Sequence, residues 1–218
     1  MSRFVDLSHT LSDGLVTYPG LPAPVITDFL SREESKQRYA AGTTFHIARI
    51  EMVANSGTYV DAPSHRWETK HDVAGLPLES LADLEGIVVD ATSAGRAIDE
   101  RIFRRDVRRR AVLIRTGWSR HFGTPAYGSG HPYLTAAAAR ALVDGGAALV
   151  GIDSLNIDDT DDAARPVHSL LLQHDIPIVE HLTALDQLPD SPFRFFAVPP
   201  RIRTVGSFPV RAFAVLRA

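Results

Sequence analysis

The chain has 218 residues, 44% hydrophobic and 22% charged, with 23 Lys and Arg against 26 Asp and Glu, for a net charge of −3. This length suits a single domain spanning 1–218 with a core of ordinary size, and the near balance of charge gives no electrostatic case for nucleic acid or an anionic membrane as a partner. Cysteine is absent, which excludes disulfide scaffolds, thiolate zinc fingers, iron–sulfur clusters and cysteine nucleophiles.

The first thirteen residues contain one early arginine, then Asp6 and His9, with no apolar run of signal-peptide length. No stretch reaches the roughly 20 apolar residues of a bilayer span, so a cytoplasmic protein is expected. Residues 43–54 (TTFHIARIEMVA) predict a strand that feeds directly into 55–65 (NSGTYVDAPSH), where Gly57 and Pro63 force a bend. Further apolar, β-rich runs lie at 86–91, 111–116, 147–152, 176–180, 193–198 and 210–216. Two helices are predicted. One covers 135–144, with Thr135 as N-cap and Gly145 at its end; the other covers 167–174, behind Pro166. Each helix leads into a strand, which gives an α/β domain, and the close spacing of the early and late strands makes part of its sheet antiparallel.

Nucleotide motifs are missing: there is no phosphate loop, and Gly128 and Gly130 lack the third glycine of a dinucleotide fingerprint. Gly128-Ser129-Gly130 also fails the G-x-S-x-G spacing of a serine hydrolase. The basic run 104–110 reads as a solvated segment before a strand. The acidic run 153–162 lacks the glycine and glutamate of a calcium hand and reads as a surface or site-flanking loop. His46 and His174 have no motif around them, and Trp67 and Trp118 read as core or pocket wall.

The chemistry is concentrated in Asn55 to His65, with His168 and Glu180 about a hundred residues later. In a straight strand Asn55 and Asp61 would stand roughly 20 Å apart at about 3.3 Å per residue, too far to share one ion or substrate atom. The segment must therefore curl, and Gly57 and Pro63 mark where. His168 on a short helix and Glu180 at the end of the next strand can meet at one edge.

These residues resemble the cyclase family that includes bacterial kynurenine formamidase and isatin hydrolase. Of its signature H-x-G-T-H-x-D-x-P-x-H the chain keeps Gly57, Thr58, Asp61, Pro63 and His65. Val5-Asp6-Leu7-Ser8 and Tyr18-Pro19-Gly20 extend the likeness toward the start. The resemblance implies a swivelling β/β/α, barrel-like fold and a homodimer or homotetramer. It implies a small-molecule substrate and hydrolysis of an amide, cyclic imide or lactone, with arylformamidase chemistry, a step of tryptophan catabolism, as the nearest named reaction. It also implies a divalent metal (manganese, zinc or magnesium) on Asp61, His168 and Glu180. His65 is then the acid–base residue or a second-metal ligand, and Tyr59 a catalytic hydroxyl donor. Asn55 and Tyr59 stand where the family has histidines. An amide oxygen is a weak ligand and a phenol needs deprotonation, so zinc affinity should fall. Asn55 is accordingly a weak ligand or pocket residue, and His181, beside Glu180, is expected to line the same cleft. A ligand-binding relative with a degenerate metal site, and a metal-free ester or lactone hydrolase, are the alternatives.

Overall fold

The structure, a computed structural model, describes residues 2–216. Its strands are β1 (Arg3–Asp6), β2 (Val25–Leu30), β3 (Ile47–Glu51), β4 (Tyr59–Asp61), β5 (Leu84–Asp90), β6 (Ala97–Ile98), β7 (Arg110–Arg115), β8 (Tyr133–Leu134), β9 (Leu149–Ile152), β10 (Ile178–Glu180), β11 (Phe193–Phe196), β12 (Ser207–Pro209) and β13 (Phe213–Leu216). The helices are α1 (Arg32–Ser35), α2 (Ala136–Asp144) and α3 (Pro166–Gln173). Among the described residues no helix is long and apolar enough to cross a membrane.

One nine-stranded sheet runs in the order β1-β13-β11-β5-β7-β9-β10-β4-β12. Its centre, β5-β7-β9-β10, is parallel and both flanks are antiparallel. Alternate residues separate two cores, as a period of two requires. Val112, Ile114, Val150 and Ile178 point toward α2 and α3, whereas Ala111, Leu113, Leu149 and Val179 point the other way. The second core unites Val5 and Ala214, from one edge of the sheet, with Val60 and Val179 near the other. The sheet therefore curls into a half-barrel. The chain beyond β1 completes the curl, since Ser8 bridges Leu182 and the Thr183 amide donates to the Leu7 carbonyl at 3.0 Å.

Local chemistry accounts for the helices. The Thr135 hydroxyl accepts from the Ala138 amide, Ala138, Ala139 and Leu142 form the buried stripe of α2, and Gly145 ends it. Helix α3 begins at Pro166 behind Arg165, which has a left-handed backbone and offers no side-chain cap. The cap comes instead from a distant loop: Asp158 accepts the Val167 and His168 amides at 2.7 and 2.9 Å.

One predicted element is corrected. The strand expected over 43–54 is confined to Ile47–Glu51, is exposed along its length, and pairs only with β2 in a separate two-stranded ribbon. Its mix of β-branched and polar residues specifies a strand but not its membership of the main sheet, and residues 52–58 separate it from β4. Strand β12 escapes sequence reading because it is short and ends in Pro209, which its place at the sheet edge tolerates.

Candidate active site

The signature residues act first on the backbone. Gly57 has φ +64°, and a Cβ there would lie 2.8 Å from a Leu11 methyl carbon, so a side chain is excluded twice over. The Thr58 hydroxyl donates to the His181 carbonyl at 2.6 Å and accepts from the His9 amide at 3.0 Å, tying three segments together. Pro63 opens the tight helical turn Pro63–His65, which turns His65 back beside the strand.

Sheet register then sets the side chains. In the β10–β4 pair Glu180 stands opposite Tyr59, and the phenol donates to Glu180 Oε2 at 2.5 Å. In the β12–β4 pair Ser207 stands opposite Asp61. The Ser207 hydroxyl lies 2.5 Å from Asp61 Oδ1 and 2.9 Å from His65 Nδ1. A hydroxyl has one proton to give. Burial works against charge on Asp61, but His65, His168 and Ser207 outweigh it and hold the carboxyl below its usual range. Asp61 therefore accepts from the Ser207 hydroxyl, whose oxygen is left to accept from His65 Nδ1, and His65 Nε2, 3.8 Å from Asp61 Oδ1, is the ring nitrogen left to exchange a proton.

Helix α3 delivers His168. Its Nδ1 lies 2.7 Å from Asp158 Oδ2, which leaves Nε2 facing Asp61 Oδ2 at 3.6 Å and Glu180 Oε1 at 3.8 Å. Burial disfavours the imidazolium, but Asp158, Asp61 and Glu180 outweigh it and lift His168 to about 10. Glu180 is pushed upward by burial, and its Oε1 also accepts from the Ile157 amide at 2.6 Å. Burial and the carboxylates of Glu180 and Asp61 raise the Tyr59 phenol well above its usual value, so Tyr59 is a proton-bearing donor.

The structure thus brings together His65, Tyr59, Asp61, His168 and Glu180, although Asp61 and His168 are over a hundred residues apart. Asn55, Tyr59, His65, His168 and Glu180 all line one cavity of about 320 Å³. His181 does not line it. Its ring is fully buried among Tyr18, Tyr59, Phe122 and Tyr127, and burial lowers it to about 3. Successive strand residues point to opposite faces, so His181, just past the end of β10 with a left-handed backbone (φ 56°), does not share the face of Glu180.

Ser207, Asp158 and Asn156 were not found by sequence reasoning, nor were Arg66 and Arg165 at the cavity wall. Ser207 lies in an edge strand with no periodic signal. Asp158 belongs to the acidic run, and this run flanks the site as expected, but Asp153 and Asp158 within it are buried rather than on the surface. Asp153 accepts from the Thr116 and Gly117 amides at 2.6 and 2.9 Å. The bland readings hold elsewhere: His46 pairs with exposed Asp28, His174 bonds the Leu170 carbonyl, and Trp67 packs against the helix-side core. A larger crevice of about 670 Å³ beside β5 carries charges that pair with one another, Arg101 with Asp99 and Arg115 with Asp90, and no buried acid–base group.

The chain is similar to known proteins along nearly its whole length. The family profile described as a putative cyclase matches residues 5–159. Kynurenine formamidase of Bacillus anthracis is 28% identical over 214 residues, covering 97% of this chain and 96% of that protein. A structure described as a potential metal-dependent hydrolase with cyclase activity superposes with a TM-score of 0.82 at 23% identity, covering 100% of both chains. Isatin hydrolase A from Labrenzia aggregata, bound to benzyl benzoate, gives 0.83 at 22%, covering 99% of this chain and 94% of that one. The chain belongs to the putative cyclase family, whose fold it has. Within that family it is a hydrolase.

Proposed function

We propose that the protein hydrolyses a C–N bond in a small amide or cyclic imide, or the ester bond of a lactone, with release of formate from N-formylkynurenine as the nearest named reaction. One observation carries this reading: a base, His65 Nε2, and a buried cluster of Asp61, His168 and Glu180 sit together at a cavity of small-molecule size.

The residues fit a divalent ion. Asp61 Oδ2 is buried with no hydrogen bond of normal length and faces His168 Nε2 at 3.6 Å; a divalent ion would draw on both atoms, His168 giving up its Nε2 proton as metal binding requires. Atoms of Asp61, His65 and His168 lie within 4.8 Å of one another, Glu180 Oε1 lies 3.8 Å from His168 Nε2, and the Asp158 contact on His168 Nδ1 is the kind that orients a metal-binding imidazole. We assign Asp61, His168 and Glu180 as the residues that would hold manganese, zinc or magnesium. When bound, such an ion supplies a Lewis acid that polarises a carbonyl and acidifies water. His65 Nε2 takes the proton of the attacking water and returns it to the leaving nitrogen, while Ser207 fixes the imidazole's tautomer. Tyr59, protonated and facing the cavity, would donate to the oxyanion that develops on the substrate by turning its one proton away from Glu180 Oε2. Asn55 lines the wall beside it. A cytoplasmic homodimer or homotetramer is part of the proposal, and light scattering on the purified protein measures the oligomer.

The test combines elemental analysis of purified protein with turnover of N-formylkynurenine before and after chelation. Stoichiometric metal and chelator-sensitive release of formate are expected. Turnover indifferent to chelation would move the protein to metal-free ester or lactone hydrolysis, and ligand binding with no hydrolysis of any such bond would sink the enzyme reading.

A further inference from the structure

The cavity is electrically polarised along its depth. Its floor holds buried Glu180 and Tyr59, with Asp61 behind them, whereas its outer wall carries two cations, exposed Arg66 and half-buried Arg165. Neither guanidinium pairs with a carboxylate among the described residues. Arg66 Nε donates to the Ser169 hydroxyl at 3.1 Å, and its guanidinium lies 4.5 Å from the centre of a Trp67 ring. Arg165 Nη1 donates to the Asp159 carbonyl at 2.8 Å. Ser169 joins the two arginines, since its amide donates to the Arg165 carbonyl at 3.0 Å one helical turn away. Both side chains are thus anchored by neutral groups, with further N–H donors unspent.

We infer that Arg66 and Arg165 form a carboxylate-binding subsite, so the substrate is a small molecule bearing a carboxylate, held carboxylate outward with its neutral scissile group on the floor. A carboxylate gains charge-assisted hydrogen bonds from guanidinium donors, whereas the floor offers it no unbalanced positive charge, since Asp61 and Glu180 would neutralise a divalent ion there, so the arginines that attract the molecule also orient it. The inference deepens the hydrolase reading and rests on it only in calling the anion a substrate.

The test is calorimetric binding of 2-aminobenzoate and of 2-nitroaniline, its uncharged isostere, to wild type and to the R66Q/R165Q and R66K/R165K variants, with and without chelator. Neither probe needs turnover. Wild type is expected to prefer 2-aminobenzoate by about tenfold or more. The glutamine pair should abolish that preference and the lysine pair keep part of it, as charge alone is retained. No preference in wild type, or one that survives R66Q/R165Q, overturns the inference, as does one lost on chelation but unaffected by the arginine changes. Formate release from N-formylkynurenine is scored separately: if none occurs while the preference stands, the hydrolase reading fails and the anion subsite remains.

Discussion

Ser207 and Asp61 face each other across the β12–β4 ladder, with the serine hydroxyl 2.5 Å from Asp61 Oδ1 and 2.9 Å from His65 Nδ1. One hydroxyl between an acceptor and a donor sets which nitrogen of His65 is free. S207A removes that constraint without emptying much volume, so the fold should persist. We expect formamide turnover to fall about 10- to 100-fold, the usual effect of removing an orienting partner, with a changed pH–rate profile and little change in melting temperature. Unaltered turnover would show that His65 is oriented by something else.

Asp158 serves two structures at once, the N-terminus of α3 and the His168 ring. D158N keeps the shape and loses the charge. Metal titration should show affinity lower by about 10- to 100-fold, and thermal unfolding should show a loss of about 1 kcal/mol as the capping interaction weakens. Affinity equal to wild type would detach Asp158 from the metal site.

Gly206 lets the β12 entry lie directly on the catalytic turn. A Cβ at this position would fall 2.7 Å from His65 Cα and 2.9 Å from His65 N, both backbone atoms that cannot rotate away. G206A should therefore cost about 1–3 kcal/mol in denaturant unfolding, as overpacking does. Turnover should fall with KM less affected than kcat, since the base His65 moves with its turn while Arg165 of the wall stays on α3's N-terminus. Wild-type kinetics in G206A would mean the turn yields freely.

Three histidines outside the chemistry, His9, His131 and His181, make stability depend on pH, and His181 is lowered furthest, to about 3. Burial lowers both His9 and His131 from 6.5 to about 4. Between those values the unfolded chain binds protons that the native state refuses, so native stability is full above pH 6.5 and declines as the pH falls toward 4. Melting temperatures between pH 7 and 5 should drop in wild type and drop less in H9Q and H131Q; parallel curves for all three proteins would refute the assignment.

Much of this was legible in the sequence because it is local. The Thr135 cap, the alanine-rich stripe and Gly145 specify α2, and the apolar runs at 86–91, 111–116 and 147–152 specify the parallel strands at the sheet's centre. The bend at Gly57 and the turn at Pro63 follow from the same backbone chemistry, and they carry Tyr59, Asp61 and His65 with them.

Tertiary structure alone decided which of these groups meet. Ser207 reaches Asp61 only through strand register, Asp158 reaches His168 only through a loop folded onto a helix end, and His181, which adjoins Glu180 in the chain, is packed away among Tyr18, Tyr59, Phe122 and Tyr127. A residue's type and its spacing to near neighbours are properties of the chain, whereas a contact between residues a hundred positions apart depends on how the sheet curls. That curl is set by two cores packing at once, so the sequence names the reactive groups and the folded barrel arranges them.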